Sequence, residues 1–416
     1  WIPRCMCCRI LKNAESEEEI MMIKLGFIGL GQRGQVLLKN VLGNFPYAEV
    51  AALCDVYEDR IEICEKLLRE KGRRPAAAYQ NYTDLLCDEN VNVVIISASW
   101  EAHIPMAIAS MKSGKITGLE VGGAYSIQDC WDLVRTYQST KTPFMFLENC
   151  CYGKKELLAA NLANAGVLGE IVYCHGAYSH DLREEIAGGY INRHYRLRNY
   201  IGRNCDNYPT HELGPIAKML KINRGNRMLS LVSVSSKARG MAVFVGKNDK
   251  YTSLQGKTFR QGDVVETLIT CADGALISLK LDTTLPHAYS RELMVSGTKG
   301  MYSEQGNIVL EEGTPFDHEK DMNEYYNTAA KYEEKYLPEI WKNITEKEIA
   351  AGHGGMDTLM LRDFFETAVE GREMPIDVYD AASWMAVSCL SEMSVQNNGR
   401  PVDIPDFTGG EWLLRK

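Results

Sequence analysis

Side chains that could transfer protons or bind a polar ligand fall at the predicted ends of strands and in one polar loop, 179–207. The most distinctive stretch is YPTHELGP at 208–215, where two prolines fix the backbone on both sides of His211. Because His211 opens an apolar helix, its imidazole could act as a general acid/base or as an electrophile; a helix-capping or core-bonded histidine is the alternative. The other candidates are Glu120, Asn149, Tyr152, Tyr178, His180, Arg196, Tyr208, Tyr289 and His353.

A glycine-rich turn near the start of the chain indicates a ligand that carries phosphate. The stretch 23–42 reads as a short apolar strand, the turn GLGQRG at 29–34, and a helix with apolar residues at helical spacing. Gly29 permits the turn, Gly31 lets the backbone approach a pyrophosphate, and Gly34 lets helix and strand pack closely. The helix N-terminus would face the phosphates, so the pattern predicts a bound dinucleotide.

The residues after this turn decide between a dinucleotide site and a glycine turn that binds nothing. A second predicted strand, 49–53, leads to Asp55, about twenty residues beyond the last glycine, where an acidic side chain can bind the adenosine ribose. A carboxylate at that point would repel a 2′-phosphate. NAD is therefore the expected ligand, although nearby Arg60 leaves room for NADP.

Composition excludes several classes of partner. With 416 residues, 45% hydrophobic and 24% charged, the chain is long enough for two or three globular domains. Its net charge of −9 argues against nucleic acid and anionic membrane as partners, because both reward clustered Lys and Arg. The 13 cysteines are irregularly spaced and indicate reduced thiols. Neither Cys5, Cys7 and Cys8 nor the adjacent Cys150 and Cys151 have metal-site spacing, so no metal is expected.

Residues 1–21 precede the first predicted strand. They contain an acidic run and no apolar segment, unlike a secretion signal or a membrane span. We expect a disordered extension without a function of its own, with Met21 or Met22 as the natural start, and a cytoplasmic protein.

Alternating strands and helices predict a Rossmann-type domain over 22–150. The expected helices are 60–71, 82–87, 105–111 and 128–139, and the expected strands are 92–97, 115–119 and 143–147. Ligands of open α/β sheets lie beyond the carboxyl ends of the strands, so Trp100 and His103 could flank the cofactor. Equally, Trp100 could be a packing residue and His103 part of a helix start before Pro105.

The second half of the chain predicts an α+β domain over 151–416 with a largely antiparallel sheet. The expected strands are 169–178, 228–235, 264–272, 275–281, 292–296, 300–303 and 308–311. A helix is expected at 154–165, and a helical tail over 357–397 supplies the C-terminal helices that close the domain. Turns such as Asp273-Gly274 indicate hairpins between these strands.

These stretches together resemble the Gfo/Idh/MocA oxidoreductase superfamily, and within it the NAD-dependent α-N-acetylgalactosaminidase-like glycosidases. The resemblance covers nearly everything after Met22 and is most specific in YPTHELGP and in HGGMD, 353–357. The other matching stretches are GFIGLGQRG (26–34), CD (54–55), WEAH (100–103), EVGG (120–123), ENCCYG (148–153), GAYSHDLR (176–183), YRLRN (195–199) and INRGNRML (222–229). Ordinary superfamily members resemble one another in a Glu-Lys-Pro where this chain has EVG at 120–122, and their lysine assists hydride transfer. The missing lysine argues against a simple sugar dehydrogenase and agrees with the glycosidase branch.

The resemblance implies a redox-neutral cleavage of terminal N-acetylgalactosamine, or a related N-acetylhexosamine, from a small-molecule glycoside. NAD takes a hydride from C3, a base removes the acidified C2 proton, the aglycone leaves C1, water adds and the hydride returns. The main alternative is a sugar or inositol dehydrogenase with net NADH production. A third is a cofactor-binding protein without catalysis.

The resemblance also implies roles for individual residues. NAD would be held by Gly29, Gly31, Gln32, Arg33, Gly34, Asp55, Trp100, Glu101, His103, Glu120, Val121 and Asn149. The sugar would be held by Tyr178, Arg196, Tyr208, Pro209, Thr210, His211 and Tyr289. Tyr152 and His211 are the expected acid/base pair, with Glu120 polarising the sugar hydroxyls or the nicotinamide ribose. His353 and Asp357 are assigned only to the second-domain wall of the cleft, and a homo-oligomer is expected.

Overall fold

The first sheet is parallel throughout. A computed structural model of the protein describes residues 22–314, 319 and 321–415. Strands β1 to β6 are Lys24–Ile28, Glu49–Cys54, Ala77–Tyr79, Val93–Ile96, Ile116–Leu119 and Phe144–Phe146. Helices α1 to α5 are Gln32–Asn44, Glu58–Glu70, Tyr82–Leu86, Trp100–Lys112 and Ile127–Thr140. The strand order β3-β2-β1-β4-β5-β6 reverses between β1 and β4, which is where open α/β sheets bind ligands.

The second sheet is mixed and mostly antiparallel. Its strands β7 to β14 are Ile171–Ser179, Met228–Ser235, Val264–Cys271, Leu276–Asp282, Met294–Gly297, Gly300–Ser303, Ile308–Glu311 and Val402–Asp403. They lie in the order β13-β12-β11-β7-β10-β9-β8-β14, and only β7 and β10 pair in parallel. The fold class predicted from the sequence, a Rossmann domain followed by an α+β domain, is confirmed.

Ten helices accompany the second sheet among the described residues. Helices α6 to α15 are Lys154–Asn164, Arg183–Asn192, Arg196–Gly202, Thr210–Met219, Gly240–Gly246, Ala330–Tyr336, Glu339–Lys342, Glu346–Ile349, Met356–Glu370 and Val378–Gln396. Short 3₁₀ turns lie at Asn149–Tyr152, Asp249–Leu254, Met322–Tyr325, His353–Gly355 and Glu411–Leu413.

Two expectations about these elements are wrong. The polar loop over 179–207 contains α7 and α8, because Ile186 and Tyr200 bury an apolar face in the second domain. Helix α4 begins at Trp100 rather than at Pro105, since Trp100 itself is buried. The predicted helical tail over 357–397 consists of two helices: Gly371 ends α14 in a left-handed conformation, and a capping box starts α15. The short strands β3 and β14 were not predicted.

Two C-terminal helices connect the two sheets and hold the site between them. Helix α14 packs on α1, where the rings of Phe365 and Phe45 meet edge to face at 5.1 Å. Helix α15 presents Ser391 and Ser394, whose hydroxyls accept hydrogen bonds from the backbone of Asp206 at 2.8 Å and of Ser233 at 2.9 Å. The C-terminal helices therefore belong to the frame of both domains.

Four further expectations concern the N-terminal extension, the domain boundary, the cysteines and membrane-spanning helices. The disordered extension predicted for residues 1–21 lies outside the described residues. The boundary at residue 150 falls inside the 3₁₀ turn Asn149–Tyr152, and the division into 22–150 and 151–416 stays a prediction. The cysteines between Cys54 and Cys389 are free. No helix formed by the described residues is both long and apolar enough to cross a membrane.

Candidate active site

A continuous cleft of about 1260 Å³ separates the two sheets. It starts at Gly29 and Asp55 beyond the carboxyl ends of β1 and β2, and it ends at Tyr178, Tyr208 and His211 under the second sheet. A pocket for one drug-sized ligand measures about 300–1,000 Å³. The cleft therefore has room for a dinucleotide and a sugar end to end.

The glycine turn has the shape that a pyrophosphate requires. A Cβ on Gly29 would lie 2.5 Å from the Ala98 nitrogen, and one on Gly34 would lie 2.1 Å from the Gly29 oxygen. Neither residue can therefore carry a side chain. A Cβ on Gly31 would approach only Arg60, at 3.7 Å, so the turn opens to the cleft. The first-turn N–H groups of α1 lack intrahelical partners and can bind phosphate oxygens there.

Asp55 is oriented toward a ribose by the backbone around it. Its Oδ2 accepts a hydrogen bond from the Leu30 nitrogen at 2.7 Å, and its Oδ1 accepts one from the Tyr57 nitrogen at 3.0 Å. The Arg60 Nη1 lies 3.5 Å from Oδ2. Each carboxylate oxygen keeps a lone pair for a ribose hydroxyl, so this end of the cleft fits NAD.

Arg33 joins three strand-end and helix-start residues into one partly buried network. Its guanidinium donates to Glu120 Oε1 from Nε at 3.0 Å and from Nη2 at 2.8 Å, and to both oxygens of Asp357 at 2.7 and 2.9 Å. Asn149 donates to Asp357 Oδ1 at 2.8 Å. Burial alone would raise the pKa of Asp357, but the Arg33 charge and the hydrogen bonds of His353 and Arg33 hold that pKa well below its usual value. Because the guanidinium is occupied by carboxylates, Arg33 can reach a phosphate chiefly through its backbone.

Of the residues that follow β4, some line the cleft and others pack behind it. His103 lines the cleft, its Nε2 bonds to the Ala98 carbonyl at 3.0 Å, and burial lowers its pKa to about 4, so it is neutral at pH 7. Trp100 is buried behind the cleft, where its ring stacks on Tyr208 at 5.2 Å. Glu101 pairs with Arg198. Of the two alternatives for Trp100, packing is the one observed.

Aromatic rings and one buried cation form the sugar end of the cleft. The Tyr178 ring lies 4.9 Å from that of Tyr208 and 5.5 Å from that of His211. The Arg196 guanidinium lies 4.8 Å over Tyr208, and its Nε is 2.9 Å from Glu185 Oε1. The Arg196 Nη1 is buried without a hydrogen-bond partner among the described residues, so it is available to a ligand. Burial raises the pKa of Tyr178, and the Arg196 charge opposes that rise.

His211 and Glu148 form a hydrogen-bonded dyad. The His211 Nδ1–H donates to Glu148 Oε1 at 2.7 Å, and the same oxygen accepts from the Cys150 nitrogen at 3.0 Å. Burial would raise the pKa of Glu148, but the charge that His211 carries when protonated and its hydrogen bond hold that pKa below its usual value. With Nδ1 protonated, Nε2 accepts from the Tyr208 hydroxyl at 3.3 Å and faces the cleft. A histidine oriented in this way by a carboxylate can take a proton from a substrate hydroxyl.

Sequence reasoning missed Glu148 as a site residue. Glu148 follows β6 just as Glu120 follows β5, so the strand-end rule that selected Glu120 and Asn149 could have selected it. Its partnership with His211 joins positions 63 residues apart and has no local signal.

Tyr152 is not brought to the cleft. Its hydroxyl donates to Asp363 Oδ2 at 2.7 Å, and it is absent from the residues that line the cleft. Burial first, and the Asp363 charge second, raise the pKa of Tyr152 well above its usual value. The geometry therefore corrects the expectation that Tyr152 pairs with His211 as acid and base.

The remaining predicted sugar residues lie around the cleft rather than along it. Pro209 precedes α9, and Thr210 is fully buried. Tyr289 is 49% exposed, accepts a hydrogen bond from Arg291 Nη1 at 2.8 Å, and meets the ring of His180 at 5.2 Å. Gln32 and Val121 line the dinucleotide end.

One cluster near the dyad has donor atoms at metal-binding distances. Ligand atoms of Glu148, Cys150 and His211 lie within 4.8 Å of one another. Burial raises the pKa of Cys150 well above its usual value, so its sulfur is a thiol, and the His211 Nδ1 is already bonded to Glu148. These atoms are therefore better described as an oriented acid/base pair than as a set of metal ligands.

Comparison with solved structures shows the fold. The chain superposes on scyllo-inositol dehydrogenase from Lactobacillus casei, solved with bound NAD(H) and scyllo-inositol, with a TM-score of 0.64 and 14% identity, covering 92% of this chain and 99% of that one. An NAD-binding oxidoreductase from Klebsiella pneumoniae superposes with a TM-score of 0.67 and 16% identity over 92% and 99% of the two chains.

Comparison with protein families and curated sequences shows the family. Residues 23–146 match the oxidoreductase family with an NAD-binding Rossmann fold, and residues 152–414 match the glycosyl hydrolase 109 C-terminal domain. An α-N-acetylgalactosaminidase from Tannerella forsythia is 36% identical over 95% of this chain and 88% of its own length. A glycosyl hydrolase family 109 protein from Stenotrophomonas maltophilia is 35% identical over 95% and 91%. Because both halves of the chain match and the curated relatives cover nearly all of it, the chain belongs to the glycosyl hydrolase 109 family and is an NAD-dependent glycosidase.

Proposed function

We propose that this glycosidase removes terminal N-acetylgalactosamine, or a closely related N-acetylhexosamine, from small-molecule glycosides without net oxidation. The observation that carries the proposal is the His211–Glu148 dyad, joined by a 2.7 Å hydrogen bond at the sugar end of a cleft whose other end fits NAD. The name of the Tannerella forsythia relative, at 36% identity, supports the choice of sugar.

The carboxylates along the cleft argue against direct acid/base hydrolysis by two carboxyl groups. Among the described residues that line it, each carboxylate already has a partner: Asp55 has backbone N–H groups, Asp59 has Arg193, Glu120 has Arg33 and Glu185 has Arg196. A route that needs one base and an oxidised sugar fits these residues better.

Bound NAD supplies the acceptor, and later the donor, of the hydride at C3 of the sugar. We assign His211 Nε2 to the proton of the C3 hydroxyl, with Glu148 stabilising the imidazolium that forms. Once C3 is a ketone, the C2 proton is acidic, and its removal expels the aglycone from C1 before water adds. We assign this second proton to Tyr178, because its ring borders both Tyr208 and His211. Burial raises the pKa of this phenol, and the Arg196 charge opposes that rise.

The proposal is tested by proton NMR with an aryl N-acetyl-α-galactosaminide in deuterated water while nicotinamide absorbance is followed. We expect release of the sugar with deuterium at C2 and no net NADH. NADH accumulation without release would instead identify a dehydrogenase. The rate of release from the β-anomer, measured in parallel, shows which anomer the enzyme prefers.

Two variants separate the assigned base from its neighbour. His211→Ala should lose cleavage while NAD stays bound, and Tyr152→Phe should keep it, because the Tyr152 hydroxyl is bonded to Asp363. Full activity of His211→Ala would refute the assignment. The cytoplasmic location and the homo-oligomer expected from the sequence stay predictions.

A further inference from the structure

We infer that His353 is a further cofactor-binding residue, which contacts the diphosphate and nicotinamide-ribose half of NAD from the C-terminal side of the cleft. The inference rests on NAD binding and not on the sugar chemistry proposed above. His353 lies in the 3₁₀ turn His353–Gly355 immediately before α14, outside the Rossmann-type sheet that supplies the other cofactor residues. It lines the cleft, and its side chain is 46% exposed there.

The His353 ring is oriented by Asp357. Its Nδ1 lies 2.8 Å from Asp357 Oδ2 and 3.3 Å from Arg33 Nη1. The carboxylate oxygen only accepts, and its contact is the shorter one, so the hydrogen is assigned to Nδ1. No hydrogen bond to Nε2 is made by the described residues. Nε2 is therefore the polar atom that the ring offers to a ligand in the cleft.

The backbone around His353 holds the ring in this place. Its φ is +44°, and Gly352, Gly354 and Gly355 have φ of +137°, +61° and +99°. A Cβ on Gly352 would lie 2.8 Å from Asp357 Oδ2, so glycine is needed for the turn to approach the carboxylate. Backbone in sparsely populated conformations persists where the surrounding structure fixes it, and it is concentrated at ligand sites.

The neighbours of His353 point to the dinucleotide rather than to the sugar. Asp357 also holds Arg33, a residue of the glycine turn, at 2.7 Å. A Cβ on Gly352 would also lie 3.5 Å from Val36 Cγ1, and Val36 is a residue of α1 in the Rossmann-type domain. The Arg33 guanidinium is turned toward Glu120 and Asp357 and is engaged there. His353 Nε2 can donate to a cofactor phosphate when the ring is an imidazolium, and as the neutral tautomer it can accept a hydrogen bond from the adjacent ribose hydroxyl.

Binding measurements on the full chain, freed of cofactor, test the inference. The ligands are AMP, ADP, ADP-ribose and NAD, titrated by isothermal calorimetry into wild type and His353→Ala. We expect His353→Ala to bind NAD and ADP-ribose about tenfold more weakly, as the loss of one hydrogen bond predicts, and to bind AMP unchanged. A weaker affinity for ADP as well would identify the phosphate as the contact; an unchanged affinity for ADP would identify the ribose.

Further variants keep the result interpretable. His353→Gln, which retains a polar group of similar reach, should recover part of the lost affinity, and His287→Ala, which removes an exposed histidine outside the cleft, should bind as wild type. Unchanged NAD affinity in His353→Ala, or an equal loss for AMP, would overturn the inference. The readout does not use glycoside cleavage, so a wild-type protein that fails to release sugar would refute the proposed function and leave this inference standing.

Discussion

Replacing Glu148 with glutamine should slow glycoside cleavage about tenfold while leaving NAD bound. The glutamine oxygen can still accept the 2.7 Å hydrogen bond from His211 Nδ1 and the 3.0 Å bond from the Cys150 nitrogen, so these two bonds are kept while the charge is lost. A hydrogen bond to a charged group contributes about 1.5–3 kcal/mol and a neutral one about 0.5–1.5 kcal/mol. The difference, about 1.4 kcal/mol, corresponds to a tenfold change in rate.

The assay is kcat/KM for an aryl N-acetyl-α-galactosaminide, with cofactor content measured on the same samples. A double variant with His211→Ala gives the sharper result, because residues that act as a unit are not additive. We expect Glu148→Gln to add no further loss once His211 is removed. A tenfold loss in both backgrounds, or a wild-type rate for Glu148→Gln alone, would refute the dyad.

The same substitution changes stability in acid. The folded-state pKa of Glu148 lies below the ordinary glutamate value of about 4.3, so its carboxylate stabilises the fold above that pH. This contribution is lost as the pH falls through the folded-state pKa. Glu148→Gln lacks it at every pH, and its thermal unfolding curve should be less dependent on pH below about 4.3 than that of wild type.

Three further predictions concern groups around the site. Burial raises the pKa of Asp206 to about 7, so the unfolded chain loses its proton first and wild-type stability should fall by up to about 4 kcal/mol as the pH rises from about 4 to 7. Asp206→Asn should remove this fall in thermal unfolding. Arg193→Ala breaks the 2.6 Å pair with Asp59 at the cleft rim and should speed NAD release in a stopped-flow displacement experiment. Arg291→Lys should raise KM more than it lowers kcat, because Arg291 orients Tyr289 through a 2.8 Å bond; equal losses would contradict this.

The parts of the fold that local signals specify were predicted well. The glycine turn, its helix and Asp55 occur in the predicted order. Each is indicated by a signal that spans only a few residues: the φ preference of glycine, the spacing of apolar residues and one acidic residue after a strand. Helices α7 and α8 were missed because they are short and polar in sequence, and their apolar residues are buried only by distant parts of the second domain. The strand Ala77–Tyr79 has three residues, too few for a periodic pattern.

The sequence predicted many residues of the site but not which of them contact one another. Glu120 and Asn149 were predicted from their positions at strand ends, and His211 from its position at a proline-flanked helix start. Asp357 was assigned only to the wall of the cleft, although it binds Arg33 from 324 residues away. Tyr152 was misassigned for the same reason: only the tertiary fold shows that its hydroxyl is bonded to Asp363.

The end of β5 does not supply the oriented base of the cleft. No lysine lines the cleft along residues 22–314, 319 and 321–415, and the position after Glu120 is the apolar Val121. Glu120 itself is held by Arg33, so neither residue at the end of β5 is free to take a proton. The nearest oriented base is on the neighbouring strand end and α9, where Glu148 fixes His211. The base therefore lies among the aromatic rings of the sugar end, where the proposed mechanism removes a proton from the bound sugar.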